Sequence, residues 1–163
     1  MGRILASLVL ADAVLLVATG VLGFLVQDER FYPEHFILAL FSLMLTLLIH
    51  ALVFTYFSVT GRMISQAVFI GHLDRTPLQR VRSYKRRVLC WVGIGFLSTI
   101  PVVAFGALAA REHAWHLWHL SAAGLALILN LLAFYIEYDC VGRQSILMRD
   151  VLERYDAVRK ADR

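Results

Sequence analysis

The sequence has few charged residues. Asp, Glu, Lys and Arg make up only 17% of its 163 residues, whereas 60% are hydrophobic. Soluble domains are usually about a quarter charged and about half apolar. Disorder is excluded, because a chain this apolar buries ample surface. The apolar residues fall in four blocks of membrane-spanning length, which excludes an independently folding water-soluble enzyme.

Residue types and motifs that support catalysis are also scarce. The two cysteines, Cys90 and Cys140, show no CxxC or Cys/His spacing typical of a metal site. Lysine occurs only twice. The sequence has no Gly-rich phosphate loop, no HExxH and no GxSxG motif. We therefore expect no catalytic residue, no metal site and no enzyme activity.

The four apolar blocks predict four membrane-spanning helices. A helix of about 23 residues, rising about 1.5 Å per residue, crosses a hydrocarbon core of about 30 Å. Helices are expected because the backbone must satisfy its own hydrogen bonds in lipid. The predicted fold class is an all-α integral membrane protein, a four-transmembrane-helix up-down-up-down bundle with helical cytoplasmic extensions. The chain 1–163 is expected to form a single membrane domain, with spans at about 4–26, 35–58, 88–110 and 116–138.

The basic residues predict which side of the membrane each connection faces, because cytoplasmic connections carry an excess of Lys and Arg. The loop 59–87 and the tail 139–163 hold most of them. The opposite side has only Arg30 and Arg111, beside the acidic residues Asp28, Glu29, Glu34 and Glu112. We therefore expect a multi-pass protein of the cell membrane, with the loop, the tail and both termini in the cytoplasm. The clustered residues that could contact anionic lipids are Arg80, Arg82, Lys85, Arg86 and Arg87.

Two helices are expected to continue beyond the lipid. No proline interrupts residues 60–73, so the second helix should extend to the turn before Pro77, and a third helix should start at Pro77 or Leu78. The tail carries an apolar stripe at helical spacing, formed by Leu147, Val151, Tyr155 and Val158. This stripe must meet the other cytoplasmic extension, another subunit or the membrane surface.

The two halves of the chain also resemble each other in outline. Each has a span, a short connection, a second span and then a Gly-Arg pair, Gly61-Arg62 and Gly142-Arg143. The pattern is explained either by a duplication in parallel orientation or by coincidence, since identity is otherwise poor.

Each predicted span carries polar residues at roughly the same depth. These residues form a predicted buried polar layer: Asp12, His50, Ser98, Thr99 and Asn130. Ionisable groups at this depth must face the bundle interior and find partners, and Asp12 with His50 is the expected pair. The layer is either a proton relay or cation site, or a set of interhelical hydrogen bonds that fixes the helix register. Glu137 and Asp139 are expected near the lipid edge, paired with Arg143 or with the basic loop.

Histidines cluster at the predicted outer interface. His35 begins the second span, and His116 and His119 share one face of the fourth. Two histidines on different helices at one level are the minimum for haem ligation, and a quinone headgroup would also fit there. The alternative is a belt of amphipathic rings at the membrane interface, without a ligand.

The function favoured by the sequence is a non-catalytic multi-span subunit of a larger membrane complex or homo-oligomer. The alternatives are an electron-transfer subunit that binds haem or quinone, and a small proton or cation conductor. No cofactor is the first expectation, with haem b or quinone as the alternative. The expected partners are the lipid bilayer, its anionic lipids, and other membrane subunits or copies of the chain. Nucleic acid is not expected, because no folded soluble module accompanies the basic residues.

Overall fold

The computed structural model is an all-α four-helix bundle, and it describes residues 2–26 and 30–161. Each helix is long and apolar enough to cross a membrane. The helices are α1 (Gly2–Leu25), α2 (Tyr32–Ile70), α3 (Thr76–Ala109) and α4 (His116–Ala161), and the short 3₁₀ turn His113–Trp115 precedes α4. Asp28, Glu29 and Arg163, which contribute to the predicted charge asymmetry, lie outside the described residues.

The helix boundaries follow from local sequence. Phe31 precedes α2 with a left-handed backbone (φ 60°), and the first turn of α2 contains a proline. At the other end of α2, Gly71 is the C-cap and His72 is left-handed (φ 48°). The helix α3 then begins at Thr76, with Pro77 in its first turn, where the missing N–H costs no hydrogen bond. In the structure α2 continues to the turn before Pro77, and α3 starts at Thr76, one residue before the predicted start at Pro77 or Leu78.

Contacts between helix ends show how the chain runs. His35, near the start of α2, is hydrogen-bonded to the carbonyl of Thr19, near the end of α1. His119, near the start of α4, makes the same contact with Val102 of α3. Sequential helices are therefore antiparallel, and α2 and α4 run in the same direction. We call the end that carries His35 and His119 the histidine end, and the end that carries the α2–α3 turn the basic end.

The bundle places apolar side chains outside and several polar ones inside. Asp12, His50 and Glu137 are completely buried. Large apolar side chains that are more than half exposed occur on all four helices, and they include Leu10, Phe24, Phe36, Leu97 and Leu117. Water would disfavour this distribution and lipid would not. Together with the four candidate spans, it suggests a multi-pass membrane protein.

The apolar stripe of the tail packs inside the chain. Leu147 and Val151 of α4 join α2 and α3 in a cluster of buried residues at the basic end, which we call the distal cluster. Its members are Ile64, Ala67, Val68, Val81, Leu147 and Val151. Tyr155 packs against this cluster, whereas Val158 remains 37% exposed. Most of the stripe thus meets the continuation of α2, one of the three surfaces expected for it.

The two halves of the bundle correspond in position. Buried residues of α2 have buried counterparts in α4 that lie 84 positions later: Ser42 with Ala126, Thr46 with Asn130, His50 with Phe134, Val53 with Glu137, Phe57 with Val141, and Thr60 with Gln144. In the first helix of each half the spacing is 83 positions, as between Leu5 and Val88 and between Asp12 and Gly95. The two Gly-Arg pairs, 81 positions apart, are therefore not equivalent. The equivalence of the two hairpins therefore lies in their buried positions.

Candidate functional site

The most polar part of the interior surrounds His50. Its ring bonds on both sides, with Nδ1 2.8 Å from Oε1 of Glu137 and Nε2 3.0 Å from Oδ1 of Asn130. All three side chains are buried. An ionisable pair in this position is expensive to insert in lipid unless its members satisfy each other. His50 of α2 and Glu137 of α4 meet that condition, because they are hydrogen-bonded to each other.

The amide of Asn130 fixes where the proton of His50 lies. Its Nδ2 donates to the carbonyl of Ala126 (2.8 Å) and to the hydroxyl of Ser98 (3.0 Å). A carbonyl can only accept, so the amide cannot be reversed and Oδ1 must accept from His50. Nε2 of His50 therefore carries a hydrogen.

One further proton lies between His50 and Glu137. If Glu137 is ionised, His50 is an imidazolium that donates from Nδ1. If Glu137 is protonated, its hydroxyl donates to a bare Nδ1. In both states the pair shares one proton and has no net charge. The arrangement can therefore hold one proton between the two side chains without placing a net charge in the interior of the bundle.

Helix α3 contributes space and one hydroxyl to this site. Gly95 is buried beside the imidazole, and a Cβ at this position would lie 2.8 Å from Cε1 of His50 and 3.0 Å from Oδ1 of Asn130. Ser98, one turn further along α3, accepts from Asn130 and donates to the carbonyl of Gly95. Only a residue without a side chain allows the backbone of α3 to approach the ring so closely.

Asp12 takes a partner other than the expected one. Its Oδ2 accepts a hydrogen bond of 2.7 Å from the hydroxyl of Thr46. Thr46 lies one turn before His50 on the same buried face of α2, at the level of Asp12 in α1. The expected pair between Asp12 and His50 is therefore not formed, although the two residues lie in neighbouring layers.

Polar side chains extend this region along the bundle axis. Toward the histidine end, Thr19 and Ser42 share a hydrogen bond of 3.0 Å, and toward the basic end, Gln144 donates to Thr60 at 3.2 Å. We call the whole series the polar column. Its members are Thr19, Ser42, Asp12, Thr46, His50, Glu137, Asn130, Ser98, Tyr56, Thr60 and Gln144. From Ser42 to Thr60 it covers about 27 Å of α2, close to the thickness of a hydrocarbon core.

The polar column contains buried oxygens that no protein group satisfies. Within residues 2–26 and 30–161 they are Oδ1 of Asp12, the hydroxyl of Tyr56, Oε2 of Glu137 and Oε1 of Gln144. Buried polar atoms normally have a partner, and water is the partner that fits a polar interior. The apolar side chains of Val53 and Phe57 separate His50 from Thr60 along α2.

The structure places the remaining residues of the predicted polar layer differently. Ser98 joins the network of Asn130, whereas Thr99 bonds to the carbonyl of Phe96 in its own helix. The expectation that Glu137 pairs with Arg143 or the basic loop is wrong, because Glu137 is buried against His50. Asp139 makes the expected pair with Arg143 at 2.9 Å. A signal for Glu137 existed in the sequence, since Asn130, Glu137 and Gln144 recur every seven residues on one helix face.

The histidine end brings two of its three candidate ligands together. The ring centres of His35 and His119 lie 6.3 Å apart, with an angle of 85° between the ring planes. His116 instead stacks on His113, with ring centres 5.5 Å apart. Across residues 2–26 and 30–161, no group of three or more His, Cys, Asp or Glu side chains is placed to hold a metal ion.

The basic end carries the predicted lipid-contact residues on the first turns of α3. Arg80, Arg82, Arg86 and Arg87 are exposed there, and Lys85 is half-buried. Just before α3, hydrogen bonding from Thr76 lowers the pKa of the Asp74 carboxyl below its usual value. Hydrogen bonding to Asp139 raises the pKa of Arg143. These surface groups are therefore charged at neutral pH.

Comparison of the chain with protein-family models, with curated proteins and with solved structures finds no match.

Proposed function

We propose that this protein is a non-catalytic, multi-span membrane component that transfers protons through the interior of its bundle. The observation that carries the proposal is the polar column, with the proton-sharing pair His50–Glu137 at its centre. A carboxyl–imidazole pair is expensive in a membrane interior and marks a functional site there by default. Interhelical hydrogen bonds alone would need no ionisable side chain.

The network restricts where a proton enters and leaves the pair. The Nε2 hydrogen of His50 faces the amide oxygen of Asn130, which cannot pass a proton on. The second carboxylate oxygen of Glu137, Oε2, has no protein partner among the described residues. A proton therefore binds at Oε2 of Glu137 while the shared proton lies on Nδ1 of His50, and the pair carries one positive charge until Oε2 releases a proton. Net transfer requires that Oε2 receives the proton from one end of the polar column and releases it toward the other.

The polar column is more continuous from His50 toward the histidine end than toward the basic end. Toward the histidine end, Asp12, Thr46, Ser42 and Thr19 supply hydrogen-bonding groups. Toward the basic end, the buried apolar side chains of Val53 and Phe57 form a barrier before Thr60 and Gln144. We expect slow proton transfer rather than an open channel, because this barrier must hydrate before a proton passes.

The orientation that we propose for the protein in the membrane is the one expected from the sequence. We propose that both termini and the loop 59–87 are cytoplasmic, and that α2, α3 and α4 extend beyond the lipid on that side. The support is the asymmetry of basic residues and the length of α2 and α4, 39 and 46 residues, against about 20 needed for one crossing. Anionic lipids then meet the basic start of α3.

The protein is also proposed to act with other membrane subunits or with copies of itself. Apolar side chains on the outside of all four helices leave surface for such contacts. The tail stripe no longer supports this part of the proposal, because α2 covers most of it.

Proton flux in proteoliposomes tests the function. Vesicles with a pH-sensitive dye inside receive a potassium diffusion potential, and the rate of internal pH change is measured with the full chain, with Glu137→Gln and with Asp139→Asn. Glu137→Gln should reduce the protein-dependent flux by about a hundredfold, because the carrying carboxyl is lost. Asp139→Asn, two residues away and paired with Arg143 at the surface, should leave the flux unchanged.

Two results would reject the proposal. One is a flux with the unmodified protein no faster than in protein-free vesicles. The other is equal flux for Glu137→Gln and the unmodified protein, with only thermal stability lowered in the variant. That second result would assign the polar column to fixing the helix register.

A further inference from the structure

We infer that the histidine end binds one haem, with His35 and His119 as the two axial ligands of its iron. This site is separate from the polar column at His50 and Glu137, and it adds a cofactor to a protein whose proposed proton transfer does not require one. Four observations support it: the fixed orientation of both rings, their equivalence in the two hairpins, the number of ligands, and the charge at this end.

The backbone fixes the orientation and tautomer of both rings. Nδ1 of His35 lies 3.1 Å from the carbonyl oxygen of Thr19, and Nδ1 of His119 lies 3.1 Å from that of Val102. Because a carbonyl only accepts, each Nδ1 donates a hydrogen. Each neutral ring therefore has its free lone pair on Nε2. Histidines that bind metals almost always have this arrangement, in which the second ring nitrogen donates to a carbonyl or carboxylate.

The two histidines occupy equivalent places in the two hairpins. They lie 84 positions apart, the spacing that relates the buried positions of α2 and α4. In each hairpin a glycine one turn after the accepting carbonyl makes room for the ring. A Cβ at Gly23 would lie 3.0 Å from Cε1 of His35, and a Cβ at Gly106 would lie 3.0 Å from Cε1 of His119. These two matching ring positions point to one ligand shared between the two hairpins.

The number of ligands favours haem iron over a bare ion. Zinc usually requires four ligands, or three and a water. Here His35 and His119 face each other while His116 stacks on His113, and no group of three or more His, Cys, Asp or Glu side chains among the described residues is placed to hold a metal ion. Haem iron receives four nitrogens from its macrocycle and takes the axial ligands from the protein. Two imidazoles bound about 2 Å from one iron on opposite sides hold their ring centres about 6 Å apart. The observed separation is 6.3 Å.

Two arginines and several apolar side chains at this end suit the rest of the haem. Arg30 and Arg111 are the Lys or Arg residues of the two connections at the histidine end, where the acidic residues Glu34 and Glu112 also lie. Two arginines suit the two propionates of haem, because guanidinium groups pair well with carboxylates. Trp118 and Leu117 are exposed apolar side chains next to His119. The macrocycle itself is apolar and suits this region.

Titration of the purified full-length protein with hemin in mild detergent tests the inference. We expect one hemin per chain and the spectrum of a six-coordinate, low-spin iron. His35→Ala and His119→Ala should each weaken hemin binding by at least about tenfold and abolish the low-spin spectrum. His113→Ala and His116→Ala are matched controls at the same end and should keep both.

A second variant separates ligation from folding. In His119→Gly, added imidazole should restore the low-spin spectrum, which a misfolded protein would not do. The inference is overturned if the unmodified protein gives only the spectrum of hemin in detergent. It is also overturned if His35→Ala retains six-coordinate iron, or if His116→Ala loses the spectrum to the same extent as His119→Ala.

Discussion

Gly95 of α3 lies directly against the imidazole of His50, and a methyl group at this position would overlap both that ring and Oδ1 of Asn130. The close approach exists because Gly95 carries no side chain, whereas Asp12 at the equivalent position of the first half carries one. The imidazole of His50 thus occupies the space beside Gly95 that a side chain at this position would fill.

Gly95→Ala should therefore displace His50 and break its bond to Asn130. We expect a loss of about 1–3 kcal/mol in the free energy of unfolding, the usual cost of an oversized side chain in a packed core. Thermal unfolding in detergent measures it. Gly93→Ala is the matched control, because nothing lies within 4 Å of a Cβ at Gly93. Equal melting temperatures for the two variants would contradict the packing described here.

Thr46→Val should leave Asp12 without its donor at almost unchanged volume. We expect destabilisation by about 1–3 kcal/mol, because a buried carboxyl loses its hydrogen bond. Thr55→Val is the control, since the hydroxyl of Thr55 is exposed and bonds only to Ala51 of its own helix. The carboxyl stretching band that disappears in Asp12→Asn should shift in Thr46→Val and not in Thr55→Val. An unshifted band would show that Asp12 has another partner.

The distal cluster should contribute strongly to stability. Ile64→Ala removes a fully buried side chain between α2 and α4 and should cost about 2–4 kcal/mol. Val158→Ala, on the tail of α4 and partly exposed, should cost well under about 1 kcal/mol. Limited proteolysis provides a second measurement, because loosening the cluster should expose the tail after about residue 145. Equal protease resistance in the two variants would argue against tail packing on α2.

His72→Gly should stabilise the α2–α3 turn. His72 has a left-handed backbone (φ 48°), a conformation that costs a residue with a side chain about 1–2 kcal/mol. Glycine removes this strain but also increases the conformational entropy of the unfolded chain. We therefore expect a net gain of about 0.5–1 kcal/mol in the free energy of unfolding. Arg75→Gly, where φ is −84°, should be neutral or destabilising. A lower melting temperature for His72→Gly would mean that the His72 side chain makes stabilising contacts.

The two lysines report the orientation. If the loop 59–87 and the tail are cytoplasmic, a membrane-impermeant amine reagent should not label Lys85 or Lys160 in intact cells and should label both after permeabilisation. Mass spectrometry of the two peptides measures this, and a labelled exterior protein serves as the positive control. Labelling of either lysine in intact cells would reverse the proposed sidedness.

The helices and their turns could be predicted from the sequence because long apolar blocks and prolines determine them locally. The same is true of the continuous α2, where nothing between residues 60 and 70 stops a helix. The partners of Asp12 and His50 could not be predicted. Thr46 and His50 share one face of α2. Whether the carboxyl of Asp12 or that of Glu137 contacts His50 depends on how α1 and α4 are rotated about their own axes, which the sequence does not specify.

The expectation for Glu137 is wrong for a different reason. Its neighbours in sequence suggest a position at the lipid edge, yet Tyr138 is exposed and Asp139 partly exposed while Glu137 lies on the buried face. Its seven-residue spacing from Asn130 and Gln144 carries the correct information, because residues seven apart share a helix face. The internal correspondence had the same difficulty, since the conspicuous Gly-Arg pairs are three positions out of register with the buried residues.

The hydrogen bond of 2.8 Å between His50 and Glu137 has an electrical consequence. A proton that crosses it moves by only about 1 Å, whereas the membrane potential falls over about 30 Å of lipid. A full crossing of one charge is worth about 2.3 kcal/mol per 100 mV, so this exchange senses only a small fraction of the voltage. The resting potential would therefore act on uptake and release at Glu137 and leave the internal exchange nearly unbiased.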